Sequence, residues 1–219
     1  KVDLSSSEKV LIAGSARTLY KFSVKASNGD VYLYKLTFKL GSSTESATTT
    51  IYETYAYTDS GYASVDSTFS TSGLLNAGSC YNGNSNTATI VSGHLVDIYM
   101  DATGCNTATT TYKVPSGETR YFVFKATVSS VNASGNTSPE TITVQLEGDA
   151  AYPALATLMG IANTTTLVGI DGDTNNDFIW SPNSTSTSLA ITDVDFTNGY
   201  NVAGLPTTNL ASEVLTSTN

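Results

Sequence analysis

The sequence has few charged residues, and this scarcity limits what the protein can bind. Only 13% of its 219 residues are Asp, Glu, Lys or Arg, and the net charge is −9. Nucleic acids and anionic membrane surfaces require basic patches, so we expect neither as a partner. No apolar run reaches the ~18 residues of a membrane helix, so we also expect no membrane insertion.

Residue types that carry catalysis and bind transition metals are equally rare. The chain has one His and two Cys, which is too few for a zinc cluster. It contains no G-x-S-x-G, H-E-x-x-H or phosphate-loop motif. Carboxylates are present, but no pair stands out as the acid and nucleophile of a glycoside hydrolase. We therefore predict a protein that is not an enzyme.

Alternation of apolar and polar residues is the strongest pattern that is present. In 31–40, for example, Tyr32, Leu36 and Phe38 share one face, with Lys35 and Thr37 on the other. Such alternation predicts half-buried strands, and turn signals such as Asn28-Gly29 separate them. The predicted strands are 9–13, 18–25, 31–40, 49–58, 87–91, 94–100, 109–114, 121–128, 141–147, 165–170 and 178–180.

Many short strands predict an all-β fold, an immunoglobulin-like two-sheet β-sandwich. The composition changes near residue 149, where the predicted strands shorten and Asn, Asp and Thr dominate. We predict a sandwich domain at 1–148 and a loop-rich, acidic extension or subdomain at 149–219. All ten Lys and Arg precede residue 126, so the last part of the chain carries the whole net charge.

Cys80 and Cys105 are the only cysteines. An even cysteine count indicates a disulfide when a β protein is exported to an oxidising compartment. Closing that loop contributes roughly 3.5 kcal/mol to stability in the chain-entropy model. The alternative is a pair of buried, unlinked thiols.

An acidic run near residue 175 has the spacing of a calcium loop. Calcium takes hard oxygen ligands, and alternate residues of a tight loop converge on one ion. Two departures weaken the match: Asn176 stands where such loops have Gly, and Pro182 where they have Glu. An Asx-rich turn is the alternative. The predicted metal ligands are Asp171, Asp173, Asn175 and Asp177.

Four further sites match the N-glycosylation pattern, although chance matches are expected in a chain with 63 Ser and Thr. They are Asn132, Asn136, Asn163 and Asn183. Trp180, beside Phe178, has two interpretations. It forms either a stacking platform for sugars or part of the apolar core.

Several short motifs together resemble a group of surface proteins. They are L-S-S-S-E-K-V-L-I-A-G at 4–14, T-L-Y-K-F-S-V at 18–24, D-F-I-W-S-P-N-S at 177–184 and D-F-T-N-G-Y at 195–200. The chain resembles, over most of its length, exported β-rich cell-surface proteins of candidate-phylum (Patescibacteria-type) bacteria. The resemblance implies an exported, extracellular cell-surface protein with a structural role, and it carries over no catalytic residue. Because the sequence opens with Lys1 rather than Met, we also expect a processed chain.

Two functional hypotheses follow. The first is a structural subunit of a cell-surface assembly, a pilus-like filament or surface layer, whose partners are copies of itself. An open sheet edge is a hazard that strand donation between copies removes. The predicted donor strand is Val10, Leu11, Ile12 and Ala13, and the alternative is that it pairs within its own sheet. The second hypothesis is a calcium-dependent adhesin or carbohydrate-binding module that recognises host-cell or surface glycans.

Overall fold

The structure is a computed structural model. It describes residues 1–43, 47–76, 81–83, 93–101, 110–131, 139–152, 176–183, 196–205 and 209–217. Over these ranges the chain forms eleven strands arranged in two sheets. None of the described ranges contains a helix long and apolar enough to cross a membrane.

The smaller sheet has three antiparallel strands in the order β2-β8-β4. They are β2 (Ser15–Lys25), β8 (Thr119–Ser129) and β4 (Thr48–Tyr57). Each alternates buried and more exposed residues, as expected of a sheet with one face on a core. Strand β4 has a bulge between Thr50 and Glu53, where Ile51 takes a φ of 54°.

The larger sheet is organised around the long strand β3 (Val31–Ser42). On one side β3 pairs with β10 and then β9, and on the other with β7 and then β6, so both of its edges are covered. The path through the sheet is β1-β11-β9-β3-β6-β5. Its other strands are β1 (Val10–Leu11), β5 (Tyr81–Gly83), β6 (His94–Tyr99), β7 (Tyr112–Val114), β9 (Thr141–Leu146), β10 (Phe178–Ser181) and β11 (Glu213–Ser217).

The core lies between the two sheets and is rich in aromatic rings. Phe38 of the larger sheet stacks on Phe124 of the smaller one, with ring centroids 3.9 Å apart. Phe22 and Phe122 stack beside them at 4.8 Å. All four rings are at most 1% exposed. Burial of each aromatic side chain contributes roughly 1.5–3 kcal/mol, so this stack holds the sheets together.

The predicted all-β, two-sheet sandwich is confirmed, and period-two alternation located most of its strands. The immunoglobulin-like strand order stays a prediction. Alternation did not reveal β5 or β11, because both are short and lie in polar surroundings. The strands predicted at 87–91 and 165–170 lie outside the described residues.

The described strands of the predicted extension belong to the larger sheet. Strand β10 pairs with β3, and β11 pairs with β9. Leu215 of β11 is fully buried in the same core cluster as the residues of β3. This pairing places the end of the chain next to its beginning.

Candidate functional site

The N-terminal segment, residues 1–13, contacts both sheets: a very short strand pairs with β11 of the larger sheet, and Val2 and Glu8 contact Lys21 of β2. Val10 and Leu11 pair in parallel with Thr216 and Ser217 of β11. Leu11 is 3% exposed, whereas Ile12 is 53% exposed. Of the predicted donor strand, then, only two residues pair within the chain, and the segment continues as exposed residues toward Gly14.

A buried carboxylate clamps this segment to β11. Glu213 is 1% exposed, and its Oε1 lies 2.7 Å from Lys1 Nζ. Its Oε2 lies 3.1 Å from Lys9 Nζ, and the backbone N–H of Leu4 donates to Oε1 at 3.4 Å. Sequence reasoning missed this group. The pattern that could have indicated it is the acidic residue Glu213, which lies on the same face as Leu215 in an alternating strand.

The segment joins the body of the fold at a glycine. Gly14 has a φ of +80°, a conformation that glycine adopts more easily than any other residue. Its N–H donates to the carbonyl of Val128 at 2.8 Å, so β8 anchors the chain immediately after the segment. The segment thus joins the body of the fold covalently at Gly14, while Leu4 and Leu11 pack in the core cluster.

A cleft of about 910 Å³ opens between the two sheets on the same side of the molecule. Residues 22–25 of edge strand β2 form one wall. Leu146 of β9 and Phe178 of β10 contribute from the larger sheet, and the loop at 196–205 closes one side. Lys1 is one of the lining residues, so the cleft and the N-terminal segment are neighbours.

Five aromatic residues line the cleft: Phe22, Tyr152, Phe178, Trp180 and Tyr200. Trp180 is half-buried, and its Nε1–H donates to the carbonyl of Asn198 at 2.9 Å. Tyr152, 63% exposed, meets Tyr200 edge to face with ring centroids 4.7 Å apart. Trp180 thus contacts the core and also faces the cleft, while Phe178 is buried at 5% exposure.

The carboxylate of Asp149 fixes the loop that carries Tyr200. It is fully buried and accepts backbone N–H groups of Asp177 at 2.9 Å, Phe178 at 3.2 Å and Gly199 at 2.8 Å. Burial raises the pKa of Asp149, and the three backbone donors oppose that rise. Asn198 adds a bond from its side-chain amide to the carbonyl of Ala151. The cleft wall is therefore preorganised.

Of the predicted calcium ligands, only Asp177 lies within the described residues; Asp171, Asp173 and Asn175 lie outside them. The pKa of Asp177 is raised to about 7: burial raises it most, Lys35 lowers it, and nearby carboxylates including Asp149 add to the rise. No group of three His, Cys, Asp or Glu within the described ranges is placed to hold a metal ion.

Most of the other predicted sites also lie outside the described residues. These are Cys80, Cys105, Asn132, Asn136 and Asn163. Asn183 is described: it follows β10, is half-buried and has a φ of 47°. Its glycosylation stays a prediction.

Comparison of the chain with protein-family models, with curated proteins and with solved structures finds no match.

Proposed function

We propose that the protein is a non-enzymatic structural subunit of an extracellular cell-surface assembly, a pilus-like filament or surface layer, whose copies are joined by donation of the N-terminal segment. The observation that carries this proposal is the way the segment is held. Only two of its residues pair as a strand, and Lys1 and Lys9 form ion pairs with the buried Glu213.

The groups that bind the segment are present in every copy of the chain, so a second copy offers the same acceptor surface. Glu213 and β11 accept it on one side, and the carbonyl of Lys21 accepts the N–H of Val2 at 2.9 Å. Exchange between copies would therefore keep the same ion pairs and the same strand pairing. Swapping an identical element is a low-cost route to association, and a swap that does not close produces a filament.

The composition suits such a role. Low charge density and 63 Ser and Thr give a surface solvated by hydroxyl groups rather than by ions. The first 125 residues are neutral overall and the remainder is acidic, which favours packing of unlike ends. Export to the cell surface, with processing of the chain, is part of this proposal.

Calcium is proposed as a structural ion of the acidic extension, with Asp171, Asp173, Asn175 and Asp177 as its ligands. Support comes from their alternate spacing and from the burial of Asp177 near Asp149. A divalent cation would offset the cost of placing carboxylates together in a desolvated position.

Deletion of residues 1–13 tests the donation hypothesis. We expect the purified full chain to form fibres or sheets in electron microscopy, and the truncated chain to stay folded and dispersed. As a second readout, a synthetic peptide of residues 1–13 added to the full chain should shorten the polymers by occupying the acceptor. The same peptide carrying Leu11→Asp is the control. Polymers of unchanged length and number after deletion would rule out this mode of assembly.

A further inference from the structure

The open edge of β2 gives the cleft a row of backbone hydrogen-bonding groups. The N–H and C=O of Ala26 are both bonded to the β8 side, through Glu118 at 3.0 Å and Gly117 at 2.7 Å. Backbone groups alternate in direction along a strand, so those of Ser23 and Lys25 point away from β8. Both residues line the cleft. The carbonyl of Lys21, on the same edge, is already bonded to Val2.

The opposite side of the cleft offers flat apolar surface in fixed orientations. The indole of Trp180 is held by Asn198, and Asn198 is held in turn by Ala151. Tyr152 exposes most of its ring beside Tyr200. Rigid aromatic faces next to polar groups are typical of sites for amphipathic ligands, because the ring binds a nonpolar face while donors and acceptors fix the edges.

The charges around the cleft are mostly neutralised by the protein itself. Lys1 is engaged by Asp3 and Glu213. Asp30 is engaged by Lys113 at 2.5 Å and by the N–H of Ser116 at 2.9 Å. Lys25 is the remaining ionic side chain of the lining, and it forms no ion pair with the described residues. A highly charged ligand would find few counter-charges here.

From this combination we propose that the cleft is a binding site for a neutral oligosaccharide, whose sugar rings stack on Trp180 and Tyr152. Its hydroxyl groups bond to the β2 edge and to the side-chain amide of Asn201, which also lines the cleft and lies 3.5 Å from the hydroxyl of Tyr152. A pyranose has a nonpolar face of C–H groups and a rim of hydroxyls, which matches the two kinds of surface. The site does not depend on strand donation, since Lys1 is the one residue of the N-terminal segment in its lining and neither the stacking rings nor the β2 edge belong to that segment.

The single Trp of the chain makes the test direct, because intrinsic tryptophan fluorescence reports only on Trp180. The full chain is titrated with maltohexaose, cellohexaose, xylohexaose and chitohexaose, and separately with anionic hexagalacturonate. We expect at least one neutral hexasaccharide to change the emission saturably, with little dependence on salt. Response to the anionic sugar alone, or to none of the sugars at millimolar concentration, would overturn the proposal.

Tyr152→Ala and Tyr152→Phe form the matched pair of variants, because this exposed side chain can be changed without touching the core. Loss of a stacking ring should weaken binding about tenfold, and loss of the hydroxyl alone should change it little. If Tyr152→Ala binds the sugar as tightly as Tyr152→Phe, the ring takes no part in binding and the proposal is overturned.

An extended peptide that adds a strand to β2 is the competing occupant, and Ser23→Pro distinguishes it. Proline removes the outward N–H while leaving the β2–β8 ladder intact, and edge strands tolerate it for that reason. Binding of a generic β-forming peptide, but not of sugars, with loss in Ser23→Pro and retention in Ser23→Ala, would reassign the cleft. Failure of the sugar titration leaves polymer formation untouched, so the two proposals are judged separately.

Discussion

At the scale of single residues, several buried carboxylates of this sandwich have more than one hydrogen-bond or ion-pair partner. Asp66 is the clearest example. It is 1% exposed and accepts hydrogen bonds from Tyr112 at 2.7 Å, Arg120 Nε at 2.5 Å and both the N–H and the hydroxyl of Thr68. A buried charge is tolerated when it is paired and fully bonded in this way.

These bonds make stability depend on pH. Burial alone would raise the pKa of Asp66, but the bonds from Thr68, Tyr112 and Arg120 outweigh it and lower the pKa to about 2. A depressed pKa adds stability above the unfolded pKa, near 4, that is lost as the pH falls through about 2. Asp66→Asn should therefore remove roughly 1–2 kcal/mol at pH 7 and flatten the stability profile between pH 4 and 2. Urea unfolding at several pH values measures this, and an unchanged profile would contradict it.

Gly199 provides a steric prediction at the same scale. A Cβ built there would lie 2.5 Å from Leu205 Cδ2, 2.9 Å from Asp149 Oδ2 and 3.0 Å from Phe178 Cβ. We expect Gly199→Ala to cost roughly 1–3 kcal/mol and to shift Trp180 fluorescence, because it displaces the loop from Asp149. Gly41→Ala, which meets nothing within 4 Å, is the control. Equal thermal stability of Gly199→Ala and Gly41→Ala would contradict close packing of the loop around Gly199.

At the scale of elements, the sequence predicted strands where alternation is long and apolar. Strands β2, β3, β8 and β9 lie where expected, since each repeats large apolar residues at every second position. The pairing of β1 with β11 was not predictable, because it depends on two residues at opposite ends of the chain. Nor was the Asp149 anchor, since a carboxylate bonded to three backbone groups leaves no spacing pattern.

The hold of β11 on the N-terminal segment gives a prediction at this scale. Glu213→Gln should free the segment while leaving the two sheets intact, because it removes the charge that pairs with Lys1 and Lys9. We expect a loss of roughly 1–2 kcal/mol, reduced by the partial exposure of both lysines. Hydrogen exchange should accelerate at Leu11 and Thr216 and stay unchanged in β8. If exchange at Leu11 and Thr216 is as slow in Glu213→Gln as in the unmodified protein, the clamp is contradicted.

At the scale of the whole molecule, the fold brings the first and last strands together at one edge of the larger sheet, and Lys1, which pairs with Glu213 of the last strand, reaches the cleft. Donation and ligand binding would therefore use the same side of the sandwich. The sequence suggested both the donor strand and Trp180, but it did not indicate that they lie on one side. That proximity arises only from the tertiary pairing of β1, β11 and β10.

The calcium proposal is tested on the intact chain. With calcium present we expect the melting temperature to rise by several degrees and to fall back on addition of EDTA, since an ion that binds only the folded state stabilises it. Asp171→Asn combined with Asp173→Asn should abolish the rise, and magnesium at equal concentration is the control. A melting temperature that is unchanged by calcium and by EDTA would contradict the calcium proposal.

Strand donation is the central claim, and a disulfide trap measures it most directly. Val10 and Thr216 face each other in the β1–β11 pair, so Val10→Cys with Thr216→Cys places two thiols side by side. Polymers are oxidised and separated on a non-reducing denaturing gel, with Val10→Cys alone as the control. Donation predicts a ladder of dimers, trimers and longer chains that collapses on reduction. A cross-linked product that runs only as monomer would show that each copy keeps its own segment, and would contradict the account.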